Sequence, residues 1–268
     1  MSTHDTHFVG SIPAVYDEIL GPLMFAPYAD DLAERLRPSA PRAVLEIAAG
    51  TGVVTRALAK ALASANIVAS DLNEAMLGIA QRQPLPRVSW QHADAQHLPF
   101  DDGAFDVVVC QFGYMFVPDK PAAYREARRV LGAGGRFVFS VWGPLERNEV
   151  TAVVGQSVAR AFPDDPPRFL ERTPFGYHDG PAIRSELERA GFKDVQVDSV
   201  EKVTQAPSPE LVARGLCHGT PLRNEIEVRD PARLDEVTAA AGAALRARFG
   251  AGPFENRMQA VVISARRD

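Results

Sequence analysis

VLEIAAGTG, residues 44 to 52, reads as a buried strand running straight into a glycine turn. Val44, Leu45 and Ile47 give the apolar run of a strand covered on both faces, and Gly50 and Gly52 supply the turn. Val54, Leu58 and Leu62 then recur at helical spacing, so a helix leaves the turn. Strand, glycine turn and helix in that order usually hold a nucleotide. Two details resist the simplest version of that reading: Ala48 stands where such loops often carry a glycine, and no lysine follows.

Outward from this unit the chain keeps alternating. Branched apolar runs predict strands over Ala43–Ala48, Asn66–Asp71, Val88–His92, Phe105–Gln111 and Arg136–Trp142. Between them, Asn73 is placed to cap a helix through Met76 and Ala80. Pro118 is placed to open another helix through Tyr124 to Leu131, closed by Gly132, Gly134 and Gly135. The expected fold is α/β: a doubly wound, Rossmann-like, mostly parallel sheet. Pro181–Gly191 reads as a further helix, and Lys193–Val203 and Met258–Ala265 as strands. If these two pair as a hairpin, the final strand is antiparallel and the piece between them is an insertion. The expected organisation is an N-terminal helical cap over 1–40, a sheet domain over 41–204 and 257–268, and a helical lid over 205–256. The lid carries helical patterns at Pro209–His218 and Pro231–Phe249 around a polar connection, and proline-rich Gly143–Gly180 is read with it.

Composition narrows the class. The 268 residues are 46% hydrophobic and 24% charged, ordinary for a globular chain, with a formal net charge of -5. That balance argues against broad nucleic-acid binding. Cys110 and Cys217 have no CxxC neighbours, so neither a metal site nor a disulfide framework is expected, and Cys110 reads as a core thiol. The N-terminus has no basic-then-apolar pattern of a signal peptide, and no run reaches the roughly 18 apolar residues of a membrane span. A cytoplasmic protein without a membrane partner is the expectation.

Three ligand classes compete for the turn. A P-loop needs GxxxxGK[ST], and here Val53 and Val54 follow Gly52, which excludes it. A dinucleotide turn needs a third glycine, and its place falls on Val53, Val54 or Thr55. Glu46, at the strand end, would also repel a pyrophosphate. A carboxylate there suits a phosphate-free ligand with a cationic amine, such as S-adenosylmethionine.

Glu46, Ala48, Gly50 and Gly52 resemble the [DE]xGxGxG motif of class I S-adenosylmethionine-dependent methyltransferases, with alanine for the first glycine. The resemblance continues in order over residues 43–142 and is greatest to the ubiquinone/menaquinone-biosynthesis-like branch (methyltransferase type 11). Asp71, 25 residues after Glu46, ends the second strand in SDLNEAML, and HADAQHLPF places Asp94 after the third. LGAGGRFVFSVW resembles the family's fifth strand. The resemblance implies that Asp71 holds the ribose hydroxyls, that Leu72, Met76 and Leu77 pack near adenine, and that Asp94, followed by Ala95 and Gln96, takes the adenine amino group. It also implies a cofactor wall of Ala48, Ala49, Gly50, Gly52, Gln111, Phe112 and Phe116. Glu46 has a rival reading as a helix-capping or salt-bridged carboxylate and Asp71 as an N-terminal helix charge; Asp101 and Asp102 rival Asp94 but sit in a DDG turn that reads as solvated, and Phe112, Tyr114 and Phe116 have a rival reading as core.

A methyl transfer is an in-line displacement that needs alignment and dryness more than a triad, so catalytic residues are not legible. Tyr16 is either near the methionine part of the cofactor, as in similar methyltransferases, or a packing residue. His178 and His218 are the weaker candidates for a base; His4 and His7 read as a frayed tail, and His92 and His97 as structural or exposed. With Ala48 expected in ordinary strand-like dihedrals, the loop takes a cofactor and no metal. Phe162, Phe169, Phe175, Leu211, Leu216 and Phe254 make the lid apolar, which favours a small, partly hydrophobic or aromatic acceptor. O-, N- and C-methylation stay open. The other readings are a non-catalytic S-adenosylmethionine-binding protein and a nicotinamide-dependent reductase.

Overall fold

A computed structural model describes residue 5 and residues 7–268; the expectation for His4 lies outside the described residues. The strands are β1 (Ala43–Ile47), β2 (Asn66–Asp71), β3 (Val88–His92), β4 (Phe105–Gln111), β5 (Leu131–Trp142), β6 (Lys193–Ala206) and β7 (Phe254–Arg266). They form one seven-stranded sheet in the order β3-β2-β1-β4-β5-β7-β6. β1 pairs parallel with β2 and β4, β2 with β3, and β4 with β5. The Gly134 N–H donates to Arg267 O, and the Gly143 N–H to Gln259 O, both at 2.9 Å. Residue numbers rise on β5 as they fall on β7, so β7 runs antiparallel, as expected of the final strand.

The helices are α1 (Ile12–Val15), a π-helix (Tyr16–Phe25), α2 (Ala26–Leu36), α3 (Val53–Ala61), α4 (Glu74–Ala80), α5 (Lys120–Val130), α6 (Glu149–Ala161), α7 (Phe169–Arg172), α8 (Gly180–Arg189), α9 (Pro209–His218), α10 (Leu222–Arg229) and α11 (Leu234–Phe249). The chain divides into two compact units. One, the sheet unit, comprises Tyr28–Val141, His178–Val200 and Ala260–Asp268. The other, the helical unit, comprises the chain up to Pro27, Trp142–Tyr177 and Glu201–Gln259.

In the sheet unit, Leu32 and Leu36 of α2 and Val54 and Leu58 of α3 pack with Val44, Ile67, Val107, Val109, Val138 and Val262 of the strands. A second cluster is aromatic. Tyr114 stacks on Tyr124 at 4.9 Å, Phe137 on Phe139 at 4.7 Å, and Phe137 on Phe192 at 5.6 Å. In the helical unit α11 packs on α9 and α6. Phe169, Phe175, Leu216 and Phe254, read from the sequence as the apolar residues of a lid, are buried in this unit, and Phe254 stacks on Phe249.

Several boundaries differ from the sequence reading. β5 begins at Leu131, so Gly132, Gly134 and Gly135, expected to close α5, lie within the strand, with Gly134 in the left-handed region at φ 72°. α5 opens at Lys120 and not at Pro118, with Asp119 as its cap: the Asp119 carboxylate accepts the Ala122 N–H at 2.9 Å. α6 lies within the proline-rich segment and α10 within the polar connection, neither of them expected.

Candidate functional site

The strand order reverses about β1 and β4, and the crevice outside the carboxyl ends of two such strands is where doubly wound sheets bind ligands. The turn after β1 lies there. Ala49 N–H donates to Ser70 O of β2 at 2.9 Å, and Ser70 Oγ donates to Glu46 O at 2.9 Å, which fasten the turn to β2. Gly50 and Gly52 have φ of 57° and 83°. A side chain at Gly52 would also meet Trp90 at 2.9 Å, so this position is glycine on two counts.

Ala48 does not have strand-like dihedrals. Its φ is 55°, in the left-handed region, which corrects the expectation from sequence. The turn back towards β2 requires that conformation. An L-residue there costs roughly 1–2 kcal/mol, where glycine would cost none of it. The alanine methyl has room because residue 113, in the turn after β4, is glycine: a Cβ on Gly113 would sit 2.5 Å from Ala48 Cβ. Phe112, beside it, is also left-handed, with φ 53°, and its ring packs edge-on against Tyr28 at 5.4 Å. Gly113 was not singled out from sequence; the only signal was a glycine following an apolar strand end.

Glu46 lies beneath the turn and is 1% exposed. Thr55 Oγ1 donates to its Oε2 at 2.6 Å. Burial pushes the carboxyl up to about 8, with Asp71 adding to the rise and Thr55 and Arg56 opposing it. Thr51 Oγ1, in the same turn, is buried without a hydrogen-bond partner among the described residues.

Asp71 joins the turn to the end of β2. Its Oδ2 accepts the Gly50 N–H at 2.7 Å and its Oδ1 the Asn73 N–H at 2.7 Å. Burial raises its pKa, and the two backbone donors work against that rise. Each oxygen keeps acceptor capacity for a hydroxyl pair. Asn73 caps α4 through Met76 N–H at 3.1 Å, which fixes Met76, buried, one turn from Asp71. Leu72 is 55% exposed, and His92 Nε2 lies 2.9 Å from its carbonyl, so His92 ties down the loop. Asp94, after β3, accepts from Gln96 N at 2.8 Å, and Gln96 Oε1 in turn accepts the Asp119 N–H at 3.1 Å. Ala95, Gln111 and Phe116 are half-buried. Tyr114 is fully buried and donates to Ala123 O at 3.2 Å, so of the three aromatics after β4 it is core.

Glu46, Ala48–Gly52, Asp71, Leu72, Met76, Asp94, Ala95, Gln111, Phe112, Phe116 and His178 all belong to the sheet unit. Tyr16 and His218 belong to the helical unit. Tyr16 opens the π-helix, stacks on Phe25 at 4.7 Å and meets Phe8 edge-on at 5.9 Å. His218 Nε2 lies 3.0 Å from Thr238 Oγ1, pinning α9 to α11, and burial lowers its pKa. His178 is half-buried just before α8.

Residues 44–135 match the model of a methyltransferase domain. The chain is 35% identical over 190 residues to the ubiquinone/menaquinone biosynthesis C-methyltransferase UbiE of Caulobacter vibrioides, covering 63% of this chain and 74% of that one. It is 35% identical over 182 residues to the malonyl-[acyl-carrier protein] O-methyltransferase of Geobacter sulfurreducens, covering 66% of this chain and 65%, just under two thirds, of that enzyme's length. Among solved structures it resembles phosphoethanolamine N-methyltransferase 2 of Haemonchus contortus, solved with S-adenosylhomocysteine, at a TM-score of 0.62 and 15% identity. That likeness covers 100% of this chain and 61% of the other, and speaks for the fold.

Proposed function

Since the chain belongs to the class I S-adenosylmethionine-dependent methyltransferases, in their UbiE-like branch, we propose that it transfers the cofactor's methyl group to a small, partly hydrophobic or aromatic acceptor. The observation that carries the cofactor reading is the Asp71 carboxylate at the switch point, joined to the glycine turn through Gly50 N–H. The residues present fit this cofactor. The turn leaves no place for a side chain at Gly52, Thr51 Oγ1 is a buried hydroxyl without a partner among the described residues, and the carboxylates are suited to a ligand without phosphate.

In this reading Asp71 accepts the ribose hydroxyls, Leu72 and Met76 pack along adenine, and Asp94 with Ala95 holds its amino edge. Glu46, too buried to be a surface contact, gives up its proton when the ammonium binds above the turn and then supplies a negative field there. Ala48, Ala49, Gly50, Gly52, Gln111, Phe112 and Phe116 wall the site, and the aromatic faces favour a cation beside them by about 0.5–2 kcal/mol. Bound S-adenosylmethionine supplies a methyl on a sulfonium leaving group. The chain's own part is to line up an acceptor atom behind that methyl and to keep water out. The aromatic acceptor class is supported by the name of one relative, a C-methyltransferase of quinone biosynthesis; the other, an O-methyltransferase of malonyl-[acyl-carrier protein], does not support it.

Calorimetry with S-adenosylmethionine and with NAD tests the first step. Asp71→Asn, which keeps shape and loses the charge, is expected to weaken S-adenosylmethionine binding about 10–100-fold, the loss of charge-assisted hydrogen bonds. NAD binding by the unaltered protein without S-adenosylmethionine binding would overturn the reading. Production of S-adenosylhomocysteine with quinols, phenols or amines then identifies the acceptor.

A further inference from the structure

The turn after β1 and the turn after β4 meet through one contact. Ala48 is left-handed, and its methyl group points into the place where residue 113 has no side chain. A Cβ built on Gly113 would lie 2.5 Å from Ala48 Cβ and 2.6 Å from Cys110 Sγ. Both distances are far inside van der Waals contact. Ala48 Cβ is fixed to the backbone and has no rotamer by which to retreat, so any shift must move the turn itself. Cys110 Sγ is fully buried and has little room to yield.

We propose that Gly113 is a cofactor-positioning residue: it acts through Ala48, and the pair together set the turn Ala48–Gly52 against the ends of β1 and β4. This rests on the cofactor reading of that turn. With glycine at position 48, residue 113 would be free of this steric demand on the β1 side. With alanine there, the hole at Gly113 is what lets a strained residue persist. Phe112, left-handed as well, is part of the same arrangement: its N–H donates to Ser140 O at 2.9 Å, which anchors the turn that presents Gly113.

The dependence is reciprocal, so a second substitution should repair the first. Cys110→Ala is made in every variant, which removes the sulfur contact and leaves the Ala48 contact alone. The C110A/G113A protein is expected to bind S-adenosylmethionine about tenfold or more weakly than C110A, because the turn is displaced. The A48G/C110A/G113A protein is expected to bind within about threefold of A48G/C110A, since the methyl in the way is gone. Thermal unfolding of all four, without ligand, accompanies the calorimetry. A merely structural Gly113 would lower the unfolding temperature without this pattern of loss and rescue in affinity. If C110A/G113A does not fold, the triple variant must fold and bind; a triple variant that stays unfolded or weak overturns the proposal. So does C110A/G113A binding as tightly as C110A. Absence of S-adenosylmethionine binding in the unaltered protein would instead overturn the cofactor reading on which the proposal stands.

Discussion

Glu46 is fully buried under the glycine turn and held by Thr55, and it keeps its proton to about pH 8, against an ordinary 4.5. The unfolded chain gives up that proton near pH 4.5. Between the two values the folded state binds the extra proton, so stability falls as pH rises from about 5 to 8. Glu46→Gln is neutral throughout. Urea unfolding at pH 5.5 and pH 8 should show the unaltered protein losing stability and the variant keeping it; equal loss in both would place the slope elsewhere. A cationic ammonium above the turn favours the ionised form, so S-adenosylmethionine should bind more tightly as pH rises towards 8 and release a proton on binding. Calorimetry in two buffers of different ionisation enthalpy reads that proton directly, and identical heats in both would count against it. At this scale the types of the candidate residues were legible and their conformations were not. A carboxylate at a strand end is visible as a letter. That Glu46 lies beneath the turn, or that Ala48 takes φ 55°, depends on β2 and on Gly113, which a reading of the segment alone does not supply.

The π-helix shows how an element is shaped by residues that cannot donate. Pro22 has no N–H, and in the wider register the Ala26 N–H reaches Gly21 O, five residues back. Pro27, in the next turn, likewise gives Leu23 O no donor from four residues on. Thr204 Oγ1 donates to that carbonyl instead, at 2.9 Å. Thr204→Val keeps the shape and removes the donor, and is expected to destabilise the protein by about 1–2 kcal/mol in urea unfolding. No change would mean that water serves the carbonyl equally well. The strands were readable because each is a short branched run with a period the eye can count, and β2, β3 and β4 have the expected limits. α6 was hidden in plain view: Val150, Val154 and Val158 recur at helical spacing, yet the prolines on either side dominated the reading. The π-helix has no such signature, since one extra residue per turn leaves composition unchanged and only the hydrogen-bond register reveals it.

At the scale of the molecule, a ligand that binds only the folded sheet unit should stabilise that unit. At a free concentration 100 times its Kd the gain is about 2.7 kcal/mol. For a chain of this size that raises the unfolding temperature by roughly 5–10 °C. Scanning calorimetry should show the rise with S-adenosylmethionine and none with NAD, and a flat response to both would argue against the site. The composition of the helical unit has a different consequence, one for the ribosome. Its pieces come from three separated parts of the chain. Asp5, buried, waits for Arg172, which is 167 residues later, and Leu23 waits for Thr204, 181 residues later. At about 5–20 residues per second, those partners emerge roughly ten to forty seconds after the segments that need them. Ile12, Leu20, Leu23 and Phe25, all buried in the finished protein, spend that interval without their final cover. The nascent chain therefore carries these apolar segments uncovered through most of its synthesis, while β1 to β5, arriving close together, can pair before the rest is made.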